Sequence, residues 1–391
     1  MMWELARMIR RKRARGSNTH EFTRSLCLDE VFSRSRRLDL RSPSAIPKIG
    51  KFSVTYVLDR LVIAGGTLSV IQLVNELILQ GVDARIACRF EDPAVYRWLP
   101  FLTRPMVFRS LEELALKMPE TDIAVATLWN TAGCVKKLKS LGKARETAYF
   151  LQDYEPWFFP KNHTEKRKRV LDTYELIGNK IVKSNWLLGK LEQLGHSAKK
   201  IPLGLDLETF RPSPNEQKQP SIIAMARPGT KHRGFDRLRE VLGIVKAHSP
   251  GVEVRLFGSS QLRSRALGFD YKDLGVIENQ QELARAYRTS LVFIDTSDFQ
   301  GFGRCGLEAM ACGTAAVLTG SGGVTEYATN ENCILVKPDS KQVAEAVLKL
   351  LSNSQLANQL TAKALEDVER FSAIEEARRT ERFFSQLVNM Q

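Results

Sequence analysis

The sequence predicts an α/β protein built from two consecutive doubly wound units. Three observations carry this expectation. A chain of 391 residues exceeds what one ordinary hydrophobic core organises. From Lys51 onward, strand-like apolar runs alternate with amphipathic helical stretches, the pattern of a mostly parallel sheet. The alternation breaks once, in the polar, proline-rich segment from Ile201 to Pro220, which reads as a hinge.

In order, KFSVTYVLD from Lys51 reads as a buried strand, and Gly65 and Gly66 then open a helical stretch from Thr67 to Gln80, stopped at Gly81. DARIACRF is the next strand. DIAVATLW precedes a helix from Thr131 to Leu141, and TAYFLQD and KIVKSN are further strands, the second leading into a helix that ends near Gly195. Beyond the hinge, SIIAMA is followed by a helix after Gly234. The strands VEVRLFG, LVFIDT, TAAVLT and CILVKP come next, separated by helices that include Gln281 to Arg288 and Arg304 to Cys312. From Ser340 the chain is helical. The expected division is a basic extension over 1–50, a first lobe over 51–200, the hinge over 201–220, a second lobe over 221–370 and a C-terminal helix over 371–391.

Composition narrows the function classes. Hydrophobic residues make up 43% and charged residues 26%, and no apolar run approaches the roughly 20 residues that span a bilayer. The six cysteines lack CxxC spacing, against a zinc ribbon or a small disulfide scaffold, so a reducing cytoplasm is the expected setting. The net charge of +14 calls for an anionic partner. Twelve of the basic residues, against five acidic ones, lie in the first fifty positions, with Met1, Trp3, Leu5, Met8 and Ile9 interleaved among them. That tail reads either as an interfacial helix on anionic lipid or as a solvated extension. The body carries no RRM, KH or zinc-finger pattern, so nucleic acid is not the expected partner.

Chemistry concentrates between Asp295 and Glu326, in DTSDFQGFGRCGLEAMACGTAAVLTGSGGVTE. A glycine-rich loop that opens a helix offers backbone N–H groups and a positive dipole end to phosphate, and Gly301 and Gly303 permit a close approach. A second loop, MARPGTKHRGFDRL, adds the ammonium of Lys231 and the guanidinium groups of Arg227 and Arg233, all suited to phosphate oxygens. Cys312 reads as a small buried helix residue rather than a nucleophile.

Gly301-Phe302-Gly303, Leu307-Glu308-Ala309-Met310-Ala311-Cys312-Gly313 and Gly322-Gly323-Val324-Thr325-Glu326 match, in order and spacing, the donor site of family 4 retaining glycosyltransferases. The chain resembles that family. The resemblance implies the GT-B architecture, two Rossmann-like lobes with a deep interlobe cleft, the first for the acceptor and the second for the nucleotide sugar. It implies that Arg227 and Arg233, with Lys231 close by, grip the donor diphosphate without a metal, and that Glu308 meets a ribose hydroxyl. Arg304 at the helix start is counted with the donor site. Val276 and Ile277, in GVIENQQELARAY, are candidate contacts of the base, and Gly65-Gly66 resembles the glycine pair beside the donor phosphates. Gln300 departs from the family, standing where its first glutamate would be. An amide there hydrogen-bonds a sugar but supplies no negative charge.

YFLQDYEPWFFP, from Tyr149 to Pro160, is similar to the corresponding segment of rhamnosyltransferases that use dTDP-rhamnose. Asp153 is accordingly a candidate to orient or deprotonate an acceptor hydroxyl, or else a loop residue satisfying backbone donors. Trp157, Phe158 and Phe159 read equally as an acceptor groove or as aromatic core. The sequence-level expectation is a retaining, metal-independent glycosyltransferase with no cofactor. It takes a nucleotide-sugar donor and a glycan or lipid-linked acceptor in cell-surface polysaccharide synthesis, in the cytoplasm or peripheral on the inner membrane face. Two alternatives remain: a catalytically silent sugar-nucleotide or glycan binder, which Gln300 favours, and a basic nucleic-acid-binding protein.

Overall fold

The computed structural model describes residues 52–259, 262 and 267–389. The basic extension over 1–50 and the last two positions of the expected C-terminal helix lie outside the described residues.

The first sheet contains β1 (Ser53–Leu61), β2 (Asp83–Glu91), β3 (Met106–Val107), β4 (Thr121–Ala126), β5 (Ala144–Leu151), β6 (Asn179–Val182) and β7 (Lys199–Lys200). Their order is β3-β2-β1-β4-β5-β6-β7, and β1 pairs in parallel with β2 on one side and β4 on the other. The second sheet contains β8 (Gln219–Met225), β9 (Glu253–Phe257), β10 (Lys272–Asp273), β11 (Ser290–Asp295), β12 (Ala315–Thr319) and β13 (Ile334–Val336). It runs β10-β9-β8-β11-β12-β13, with β8 parallel to both β9 and β11. The ten longer strands are those expected from sequence. The three two-residue strands β3, β7 and β10 were not, because two residues are too few to display a strand pattern.

In both sheets the chain order reverses beside the first strand, between β1 and β4 and between β8 and β11. Such a switch point leaves a crevice at the carboxyl ends of the strands, because the following loops part in opposite directions. The local sequence makes the second sheet a two-sided core. Ile223 and Phe293 face one apolar layer, with Leu307, Met310 and Tyr287. Ile222, Val292 and Ile294 face the other, with Leu238, Val241 and Val347. This is the near-continuous apolar strand that a parallel sheet covered on both faces requires.

The chain forms two compact units. The described part of the first comprises 52–150, 159–180 and 377–389; the second comprises 151–158 and 181–376. Within the first, Tyr56 packs edge-on to Phe150 at 5.9 Å between ring centres and also meets Phe384 of the C-terminal helix. Within the second, Leu203, Leu205 and Phe210 of the 201–220 segment are buried in the core, and Leu205 exchanges backbone hydrogen bonds with Phe371 and Ala373. Near its two ends the second unit holds a buried ion pair, Lys183 Nζ to Glu376 Oε1 at 2.5 Å. Burial pushes the Lys183 ammonium down, and the Glu376 charge opposes this. The other carboxylate oxygen of Glu376 accepts the Gly204 N–H at 2.7 Å. Among the described residues no helix is long and apolar enough to cross a membrane.

Candidate functional site

The loops after β8 and β11 meet at the switch point of the second unit. The β8 loop passes Arg227 and a short 3-10 turn, Lys231–Arg233, and reaches Gly234, whose φ of 66° is left-handed. A Cβ at Gly234 would lie 2.0 Å from the carbonyl oxygen of Thr296, so only glycine allows the two loops this close. They are stitched together by Thr296 Oγ1 to Gly234 O at 2.9 Å, Asp298 N to His232 O at 2.8 Å and Arg237 Nη1 to Thr296 O at 2.6 Å. The β11 loop then runs through Gln300 to Gly303, which caps the helix Arg304–Ala311 in the left-handed region.

Gly301 is packed as closely. A Cβ there would sit 1.9 Å from the Gln152 carbonyl oxygen and 2.7 Å from Asp153 Cα. The Gly301 carbonyl accepts from Ser184 Oγ at 2.6 Å, and Gly323 N donates to Gln300 O at 2.6 Å. The Gly322–Glu326 turn is itself held, since Glu326 accepts from Asn185 N at 2.9 Å and from Lys200 Nζ at 2.6 Å.

Around this turn stand the charged groups. Arg227 is partly buried, and its Nε has no hydrogen-bond partner among the described residues. Burial lowers the affinity of its guanidinium for the proton, Cys305 raises it, and Arg233 lowers it further. Two guanidinium groups close together, one with an orphaned buried donor, form a local excess of positive charge fitted to an anion. Arg233 Nη1 donates to Gln300 Oε1, and Gln300 Nε2 donates to Asp295 Oδ2 at 2.5 Å. Asp153 accepts the N–H groups of Tyr154 and Gly301 and lies in the field of Arg233. Burial pushes its carboxyl above the ordinary range, with Arg233 opposing. Lys231 is exposed on the same turn.

The other sequence candidates fall in different surroundings. Glu308 is 1% exposed, and its two oxygens accept from Arg304 Nε at 2.7 Å and Tyr287 OH at 3.2 Å. Burial raises its carboxyl while Arg304 works against that. The ring of Phe302 lies in the core on Tyr327 and Phe371, so its backbone rather than its ring faces the loop. Val276 is exposed and Ile277 packs on the core; they follow Gly275, whose carbonyl accepts from Gly258 N at 2.7 Å. A Cβ on Gly258 would be 3.7 Å from Arg227 Nε, which places this loop along the same sheet edge. In the first unit, Gly65 and Gly66 are exposed at the start of the helix Gly65–Leu79.

Sequence reading named Trp157 and Phe158 but missed that they join His232, Phe299 and Trp186 in one aromatic group beside the charges. His232 stacks between Phe158, at 6.3 Å, and Phe299, at 4.8 Å. Trp157 and Trp186 pack on Phe299, and Lys190 Nζ sits 4.8 Å from the Trp157 ring centre. Burial, with Arg233 adding to it, pushes the His232 imidazole down to about 4. Phe159 belongs to the first unit, where it meets Trp129 at 6.0 Å. Asp295 was also missed; an acid closing an apolar strand was the available signal.

These two sheets and their switch points have solved counterparts. Anabaena HepE in complex with UDP-glucose is matched with a TM-score of 0.72 at 16% identity, over 86% of this chain and 100% of that one. Sucrose-phosphate synthase from Thermosynechococcus elongatus gives 0.71 at 18% identity, over 87% and 100%. The fold is GT-B. Within it, residues 206–367 match the model of the family described as glycosyl transferases group 1, a span that includes Arg227, Arg233, Gln300 and Glu308. A probable sucrose-phosphate synthase of Vicia faba is 30% identical over 195 residues, 44% of this chain and 18% of that protein. A GDP-mannose-dependent phosphatidylinositol dimannoside mannosyltransferase of Mycobacterium tuberculosis is 26% identical over 167 residues, 40% and 44% of the two chains. The matches thus span less than half the length of these curated relatives.

Proposed function

We propose that this chain is a glycosyltransferase that moves a sugar from a nucleotide-diphosphate sugar to a glycan or lipid-linked acceptor in cell-surface polysaccharide synthesis. The observation that carries the reading is Arg227, a partly buried guanidinium with an unsatisfied donor, close to Arg233 at the switch point of the second unit. Its relatives by fold and by segment are named for nucleotide-sugar chemistry, UDP-glucose in HepE and GDP-mannose in the mycobacterial enzyme. The resemblance adds retention of configuration, metal independence and dTDP-rhamnose as the first donor to try.

In this reading the acceptor hydroxyl oxygen bonds to the anomeric carbon as the bond from that carbon to the diphosphate oxygen breaks. The departing diphosphate takes the electron pair, and Arg227 and Arg233 stabilise its charge with preorganised N–H donors. The hydroxyl proton passes to the leaving phosphate on the same face. Asp153 orients the hydroxyl, its carboxylate already accepting two backbone N–H groups. The exposed Gly65-Gly66 turn of the first unit leaves room for donor phosphates or acceptor to approach.

A second reading, a silent nucleotide-sugar binder, draws on Gln300, whose amide is engaged at both ends by Asp295 and Arg233. Calorimetric titration with dTDP, UDP and GDP, followed by mass detection of sugar transfer, separates the two. Arg227→Ala is expected to weaken nucleoside diphosphate binding by about 1.5 to 3 kcal/mol and leave nucleoside binding nearly unchanged. Equal losses for both ligands would remove the diphosphate assignment.

A further inference from the structure

Asp295 ends β11 at 7% exposure, and nothing in the reading above uses it. One of its oxygens accepts from Ser297 N at 2.8 Å and the other from Gln300 Nε2 at 2.5 Å. The opposite end of the same amide accepts from Arg233 Nη1. Besides Gln300 and Arg233, its charge faces the Cys305 thiol and the Tyr327 phenol, both pushed up and kept neutral by burial first, with Asp295 adding to the shift. Asp153 lies in the field of the same Arg233.

We propose that Asp295 is a positioning residue which, through the Gln300 amide, aims Arg233 at the donor diphosphate without neutralising it. The inference rests on the glycosyltransferase reading. Its physical basis is the polarity of the amide. Only a group that donates at one end and accepts at the other joins a carboxylate to a guanidinium in this order. A carboxylate in direct contact with Arg233 would pair with it, often through two N–H groups, and cancel the charge the diphosphate needs. With an amide between them, a single N–H of Arg233 is committed to Gln300 in this chain of bonds, and the others stay available. The negative charge is therefore one hydrogen bond behind position 300 instead of at it.

The test uses Gln300→Glu, Asp295→Asn and the double variant in the full chain. Gln300→Glu sets two carboxyls against each other, so one keeps its proton in the folded chain, with a folded pKa above the unfolded value of about 4. Stability relative to wild type is then retained at low pH and lost as pH rises through the folded pKa. Melting at pH 5 and pH 8, with no ligand present, reads this. The double variant restores every bond, with only the one between 295 and 300 reversed: the amide at position 295 donates, and the carboxylate at 300 accepts from it and from Arg233. It is expected to melt with the wild-type pH dependence.

Each single variant is expected to lower affinity for the nucleoside diphosphate that wild type binds best by about tenfold, with nucleoside affinity unchanged. The double variant restores the bonds but leaves a carboxylate directly on Arg233, so it melts like wild type while its diphosphate affinity and kcat stay low. A Gln300→Glu variant whose melting follows wild type at both pH values, or a double variant that binds the diphosphate as wild type does despite its carboxylate on Arg233, overturns the proposal. So do single variants whose melting shifts while their diphosphate affinity stays at the wild-type level, which would leave Asp295 a purely structural residue. Wild-type protein that binds none of dTDP, UDP and GDP sinks the glycosyltransferase reading and with it the positioning role, whereas the melting data still decide whether the three side chains are coupled.

Discussion

Gly65 in the first unit and Gly301 in the second both follow a central parallel strand and precede a helix, yet glycine is present for different reasons. A Cβ on Gly301 would collide with the Gln152 carbonyl oxygen, so the protein's own backbone demands glycine there. A Cβ on Gly65 would meet nothing within 4 Å, and its φ is not positive. The fold of the first unit does not need that glycine. The turn at this helix N-terminus is open, and its first N–H groups have no partner within the helix.

The largest break in this comparison is expected from Gly301→Ala. Forcing a methyl against backbone costs about 1 to 3 kcal/mol or more, read as a lower melting temperature and loss of nucleoside diphosphate binding together. Wild-type melting would mean that the loop relaxes and the glycine is needed for something else. Glu308→Gln comes next. It leaves the buried Arg304 without its ionised partner, so melting should drop by about 1 to 3 kcal/mol whether or not ribose binds there. A fall in nucleoside affinity with unchanged melting would instead favour direct ribose contact.

A smaller effect sharpens the contrast, because the first-unit turn from Val62 to Thr67 has no titratable side chain while the second has His232. With its folded value depressed to about 4 from 6.5, His232 contributes stability above the unfolded value, lost as pH falls from 6.5 towards 4. His232→Phe keeps a ring between Phe158 and Phe299 and should flatten melting over that window; an unchanged acid limb would point to other groups. The smallest change in stability is expected at Gly65→Ala, within about 0.5 kcal/mol of wild type or slightly stabilising. Turnover should nevertheless fall. If both stay at the wild-type level, no ligand approaches that turn.

Much of this was legible in the sequence because buried parallel strands are written as apolar runs and the turns between them as glycines. The helix Thr164–Tyr174 escaped, since in TEKRKRVLDTY only Val170 and Tyr174 are buried, too thin a stripe to stand out from the charges. At the site, Arg227, Arg233 and the Gly301–Gly303 loop form linear motifs and could be read directly. The bond from Arg233 to Gln300 joins positions 67 apart, and the His232 stack collects rings from three separate segments. No local pattern encodes such pairings. Glu308 teaches the opposite lesson: its partner Arg304 is four residues away on one helix, a spacing visible in the sequence but outweighed there by the resemblance to a ribose ligand.

The buried pair Lys183–Glu376 joins positions 193 apart, so it closes the neck of a very long loop. The entropy of such closure grows only logarithmically, about 0.6 kcal/mol for each doubling of contour length. Insertions between the two residues therefore barely loosen the neck, and a lineage is free to lengthen surface loops anywhere inside it. The neck itself is not free to drift one residue at a time. Replacing either partner strands a buried charge, a loss of about 3 to 5 kcal/mol, so divergence at positions 183 and 376 must come as a paired exchange.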